Sequence, residues 1–238
     1  MSDARRNFHN ELHELEVRAV VAVDLVLTAI DRVVEALEHQ DVELAQVIID
    51  DDRLIDCGYA EVHRGVLSLL ALQAPVASDL RLVAALLHVV RSVERMGGQC
   101  VSVAKLIPLS GHEPPVRREI LDRVLTMGRF ARAEVVQCKR AFAERNVAMA
   151  EDLVTRDREV NRLNREIFRL AVEGGDDPDT REWAMTMALV ARAFERIGDN
   201  AIDVGEQTAF VVTGQFREFS DLGRSGASVS PLFAGPAL

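Results

Sequence analysis

The stretch from Val190 to Glu206, Val-Ala-Arg-Ala-Phe-Glu-Arg-Ile-Gly-Asp-Asn-Ala-Ile-Asp-Val-Gly-Glu, has a faded copy from Val89 to Lys105, Val-Val-Arg-Ser-Val-Glu-Arg-Met-Gly-Gly-Gln-Cys-Val-Ser-Val-Ala-Lys. The copies stand 101 residues apart in a chain of 238. Self-similarity at that distance means a fold built twice. Upstream, Asp52-Arg53-Leu54-Ile55-Asp56 aligns with Asp157-Arg158-Glu159-Val160-Asn161, and Glu61-Val62 with Glu166-Ile167, at an offset of 105. The four-residue change of offset requires turns of different length, near Leu72 to Pro75 in one half and Gly174 to Pro178 in the other.

Helical periodicity runs through nearly all of both halves and predicts helices at 8–39, 41–72, 76–107, 116–144, 147–172 and 179–212. Ala, Val, Leu, Arg and Glu dominate and aromatics make up only 5% of the chain, a composition that favours helices over strands. The polar joints His39-Gln40-Asp41 and Arg145-Asn146 fall at matching places, and Pro75 is expected in the first turn of the third helix. Short joints make successive helices antiparallel neighbours. The expected fold is all-α: two tandem three-helix bundles, residues 1–107 and 116–214, joined by a connection at 108–115 that carries Pro108, Gly111, Pro114 and Pro115. Beyond them, 215–238 is rich in Gly, Ser and Pro and reads as a disordered tail.

The net charge of −10 repels phosphate backbones, and no basic patch interleaved with aromatics offsets it, which argues against nucleic-acid binding. Cys57, Cys100 and Cys138 lie far apart without a Cys-x-x-Cys, so reduced thiols in a cytosolic protein are expected. Met1 to Glu16 is too charged for a secretory signal, and no run reaches the ~20 apolar residues that span a bilayer.

Chemistry concentrates in the last helix. At about 100° per residue, with Glu195 at zero, Asp199 falls near ~40°, Asp203 near ~80° and Glu206 near ~20°. The apolar residues Val190, Phe194, Ile197, Ala201 and Val204 centre near ~220°, so the acidic stripe is expected to face away from the core. A plain solvated face has this pattern. So has a cation site, since like charges at i,i+4 repel by ~0.2–0.5 kcal/mol per pair and a bound ion relieves that repulsion. Folding the fifth helix back on the sixth brings Asp157 level with Glu195, so Asp157, Glu195 and Asp199 can be offered to one ion. Oxygen-only ligands suit Mg²⁺, Mn²⁺, Ca²⁺ or iron rather than structural zinc. The first half reads Asp52, Asp56, Glu94, Gly98 and Ser102 at the same places, a weaker site or none.

Other features carry less. His9 and His13 lie at i,i+4 without the His-Glu-x-x-His pattern, and nucleotide-binding glycine loops and nucleophile-elbow motifs are absent. Asp79 and Arg81 follow a tight interhelical turn, where Asp79 favours the helix start; they are also the candidate partner-binding tip.

Phe8-His9-Asn10-Glu11-Leu12, Leu70-Ala71-Leu72-Gln73-Ala74-Pro75-Val76-Ala77-Ser78-Asp79-Leu80-Arg81 and Glu195-Arg196-Ile197-Gly198-Asp199-Asn200-Ala201 resemble the PhoU family, in order and on a duplicated helical frame. The resemblance implies paired three-helix bundles and a homodimeric, non-enzymatic, cytoplasmic regulator. Such proteins connect the ATPase subunit of the phosphate ABC transporter to a phosphate-sensing histidine kinase and hold the starvation response off. Membrane association is then only through partners. It also implies surface metal clusters, iron among them, on a Glu/Asp-x-x-x-Asp motif in each half. Glu195 and Asp199 match that motif; Glu94 and Gly98 do not complete it; Asp203 replaces the family's usual Asn with a carboxylate. The alternative is a bundle whose main role is to carry a hard cation (Fe, Mn or Mg) without an organic cofactor.

Overall fold

A computed structural model describes residues 3–110, 117–173 and 177–219. Six long helices follow one another: α1 (Asp3–His39), α2 (Val42–Leu72), α3 (Ala77–Leu106), α4 (Arg118–Glu144), α5 (Val147–Val172) and α6 (Pro178–Thr213), with a short 3-10 turn at Pro108–Ser110. The described residues contain no strand.

The duplication is visible in the joints. Gln40 ends α1 and Arg145 ends α4, each in the left-handed region at φ 54°. The next residue caps the following helix: the Asp41 side chain accepts from the Leu44 N–H and the Asn146 side chain from the Met149 N–H. The backbone N–H groups of Asp41 and Asn146 donate to the carbonyls of Ala36 and Ala141, both at 2.9 Å. The same local chemistry, 105 residues apart, turns the chain twice.

The second joints differ, as the change of offset requires. Asp177 caps α6 through the Thr180 N–H, with Pro178 in the first turn where its missing N–H costs nothing. Pro75 does not play that part in α3. It precedes the helix, which starts after Val76 without a side-chain cap, and Gln73 and Val76 are extended. A proline disfavours the helical region in the residue before it, so the break falls ahead of Pro75.

The two triplets are not separate cores. One apolar cluster draws on all six helices, with Val90, Val93 and Met96 of α3 and Val190, Phe194 and Ile197 of α6 among its members. The halves also meet along α1 and α4, where Lys139 pairs with Asp24, Arg132 with Asp31 and Arg145 with Glu16. Helix α6 therefore packs on α3, α4 and α5 at once. This sets the environment of every carboxylate it carries.

The expected tail begins as a packed segment. Residues 215–218 are exposed, but Phe219 is 2% exposed and its N–H donates to Glu206 Oε1 at 2.7 Å. The remainder of the expected tail, 220–238, lies outside the described residues, as does 111–116 of the connection. Cys100 and Cys138 are buried thiols and Cys57 is exposed. No helix among the described residues is long and apolar enough to cross a membrane.

Candidate carboxylate site

The outward acidic stripe expected on α6 is not what the structure holds. Glu195 is 9% exposed and Asp157, on α5, 7% exposed. The helical-wheel reading assumed one covered face, whereas three neighbouring helices cover most of this one. Asp199 remains exposed, and Asp203 and Glu206 are half-buried.

The stripe also divides among different partners. Glu195 is held by Arg192 one turn earlier on α6. Burial raises the Asp203 carboxyl, Arg95 and His88 of α3 draw it back, and Asp199 and Glu218 push it further up. Glu206 accepts the Phe219 N–H. The charge of the exposed Asp199 reaches the α4–α5 side and raises the carboxyls of Glu134 and Asp157.

Glu134 was not among the residues singled out from sequence. It is 2% exposed and both its oxygens lack a hydrogen-bond partner. Asp157 Oδ1 is buried and unpartnered as well, while its Oδ2 accepts from the Asn161 amide. The two carboxylates converge on the backbone of Gly198: a Cβ there would lie 2.6 Å from Glu134 Oε2 and 3.0 Å from Asp157 Oδ1. Burial raises the Glu134 carboxyl to about 8, reinforced by Asp157 and Asp199 and opposed by Arg156. Burial, then Asp199, raises Asp157 to about 6. The sequence did hold a signal. On α4 the buried series Ala131, Val135 and Cys138 places Glu134 on the apolar side, where a carboxylate has no ordinary reason to be.

The first half repeats the frame and lacks the partner. Asp52 Oδ1 stands 3.1 Å from the place of a Cβ on Gly97, the counterpart of Asp157 over Gly198. Burial raises the Asp52 carboxyl, with Asp56 and Glu94 adding to the effect and Lys105 opposing it, so the three acids expected there are electrostatic neighbours. Glu94 lies 3.5 Å from Arg91. The counterpart of Glu134 is Ala29, which with Arg32, Asp52, Gly97 and Cys100 lines a cavity of about 110 Å³. Gly98 and Ser102 add no carboxylate, and the Ser102 hydroxyl donates to the Gly98 carbonyl.

Among the described residues, buried carboxylate oxygens without a hydrogen-bond partner converge at Glu134 and Asp157, with a further one on Glu94 in the first half. Orphaned buried oxygens are costly unless an ion, a proton or water satisfies them. As the side chains stand, no three His, Cys, Asp or Glu among the described residues are placed to hold a metal ion. Glu195 is engaged by Arg192 and is not free to join a cluster as the side chains stand.

At the α2–α3 tip, Arg81 serves the chain itself. Its Nε donates to the Val211 carbonyl in the last turn of α6, at 3.3 Å, a favourable place for a cation. Asp79 lies in the first turn of α3, half-buried.

The fold and site together define a duplicated six-helix protein with an interhelical carboxylate pair in its second half. The model of the PhoU domain family matches residues 22–107 and 124–208, one match in each half. The chain belongs to the PhoU family. It is 31% identical over 220 residues to a Clostridium acetobutylicum protein named as a phosphate-specific transport system accessory protein PhoU homolog, covering 91% of this chain and 99% of that one. An Aquifex aeolicus protein of the same name is 30% identical, covering 78% of this chain and 84% of the other. The crystal structure of PhoU from Pseudomonas aeruginosa superposes with a TM-score of 0.80 at 26% identity, covering 87% of this chain and 100% of that one. The phosphate transport system regulatory protein PhoU from Streptococcus pneumoniae gives 0.76 at 26% identity, covering 88% and 99%.

Proposed function

We propose that this chain is a non-enzymatic accessory protein of phosphate uptake that acts in the cytoplasm by protein contact. It links the ATPase subunit of a phosphate ABC transporter to a phosphate-sensing histidine kinase and keeps starvation genes off when phosphate is plentiful. The observation that carries the reading is end-to-end similarity to relatives named as phosphate transport accessory proteins, at 91% of this chain and 99% of the relative. The construction suits such a role: a rigid shared core holds long helices whose outer faces remain exposed for docking, as at Leu67, Leu72, Phe168 and Leu189. Deleting the gene should leave a phosphate-starvation reporter on in high phosphate. Normal repression in a deletion strain without a paralogue contradicts the proposal.

A second reading, that the acidic site carries a hard cation, is favoured by one observation. Glu134 and Asp157 point unpartnered oxygens at one place on Gly198. These two carboxylates would hold the ion; a resident cation supplies charge that neutralises the buried pair. Elemental analysis of protein purified without chelator, compared with a Glu134→Gln/Asp157→Asn variant, tests it. Loss of metal with regulation intact makes the ion incidental to signalling.

A further inference from the structure

The short segment after α6 occupies a socket of its own. The Phe219 ring packs with Ala141 at the end of α4, Ala150 at the start of α5 and Ala209 on α6, a cluster separate from the main core. Room for the ring comes from Gly205, where a Cβ would lie 3.2 Å from Phe219 Cε2, 2.9 Å from Leu153 Cδ1 and 3.3 Å from the Ala150 carbonyl oxygen. Glu206 sits beside the ring and accepts the Phe219 N–H at 2.7 Å. In the socket itself the contact is one aromatic plug plus one backbone hydrogen bond, and on the way to it the Phe216 ring meets Phe210 edge-on.

Three features make the plug detachable. The chain leaves α6 through Gly214 at φ 73°, and residues 215–218 cross to the socket exposed. Burial of the Phe219 ring and the largely exposed edge contact of Phe216 with Phe210 must offset the ordering of the whole segment, so the balance is close. Within the segment, Glu218 sets a like charge near this rim and adds a small upward push to the carboxyls of both Asp203 and Glu206. A basic residue in place of Glu218 would meet that rim with complementary charge. The segment lies beyond residue 208, where the match to the PhoU domain ends.

We infer that this socket is a docking site for an extended segment of a partner protein that presents an aromatic residue preceded by a basic one, and that Phe219 holds it shut as a tethered self-ligand. The shape selects the ring, Glu206 selects a backbone N–H at the aromatic residue, and the acidic rim selects the preceding cation.

Hydrogen exchange on the full chain tests the seat, and a labelled peptide of residues 214–219 carrying Glu218→Lys tests the selection. The Phe219 amide should be protected in the unaltered chain, and Glu218→Lys in the chain should raise that protection roughly two- to fivefold. The peptide should bind the Phe219→Ala chain and bind the unaltered chain roughly tenfold more weakly, since the tethered plug competes. The same peptide with Phe219→Ala should not bind. An unprotected Phe219 amide in the unaltered chain overturns the inference, whatever the variant's stability. So does a peptide that binds both chains equally, or neither.

Discussion

Glu134 Oε2 lies 2.6 Å from the point a Cβ on Gly198 would occupy, so the carboxylate on α4 and the missing side chain on α6 are one feature. A glycine in a helix interior costs about 1 kcal/mol relative to alanine. Here that cost makes room for two carboxylates between helices.

Gly98 and Gly198 should therefore respond oppositely to alanine. A Cβ on Gly98 meets nothing within 4 Å, so Gly98→Ala should stabilise the fold by about 1 kcal/mol. Gly198→Ala presses on Glu134 and Asp157, and overpacking of roughly 1–3 kcal/mol should outweigh the propensity gain. Urea midpoints of the two variants check this.

Glu134 should make stability fall with rising pH. Its carboxyl is raised from 4.5 to about 8, so in that window the folded chain holds a proton that the unfolded chain has released. Stability is then greatest below the ordinary value and is lost by up to about 1.4 kcal/mol per pH unit until the folded value is passed. Glu134→Gln should flatten this slope and leave the variant more stable than the unaltered protein at pH 8. Urea unfolding from pH 5 to pH 9, in chelator, measures it.

If the pair holds a hard cation, the ion competes with those protons. Mn²⁺ should raise the melting temperature, by the equivalent of about 2.7 kcal/mol at a hundredfold excess over Kd. Binding should tighten as pH rises from 6 towards 8, since the ligands must lose their protons first. Asp157→Asn and Glu134→Gln should each abolish the shift. A shift that survives both places the ion elsewhere.

The duplicated caps give a paired test. Asp41→Ala and Asn146→Ala each remove a side-chain acceptor for a helix-start N–H and should each cost about 1 kcal/mol. Chemical denaturation of both variants reads the two losses, which should be similar if the joints are true copies.

How much of this was legible in the chain follows from what each feature depends on. The helices and first joints depend on local periodicity and on residues such as Asp41 and Asn146, and the repeat shows them twice. The exposure of Glu195 depends on how many helices surround α6, which a single-helix wheel cannot count. The pairing of Glu134 with Asp157 depends on the packing of α4 against α5 and α6; the sequence offers only a charge among Ala131, Val135 and Cys138. Phe219 stands in a Gly- and Ser-rich stretch with no apolar period, so its burial depends on a socket built from distant alanines and Gly205.

The most direct test of the regulatory role is a pull-down with the purified full chain from membranes that express the phosphate transporter. Recovery of the transporter's ATPase subunit, lost when the exposed docking faces are blocked by added charge, is the predicted result. Failure to recover that subunit at any phosphate concentration, with the chain folded, contradicts the role.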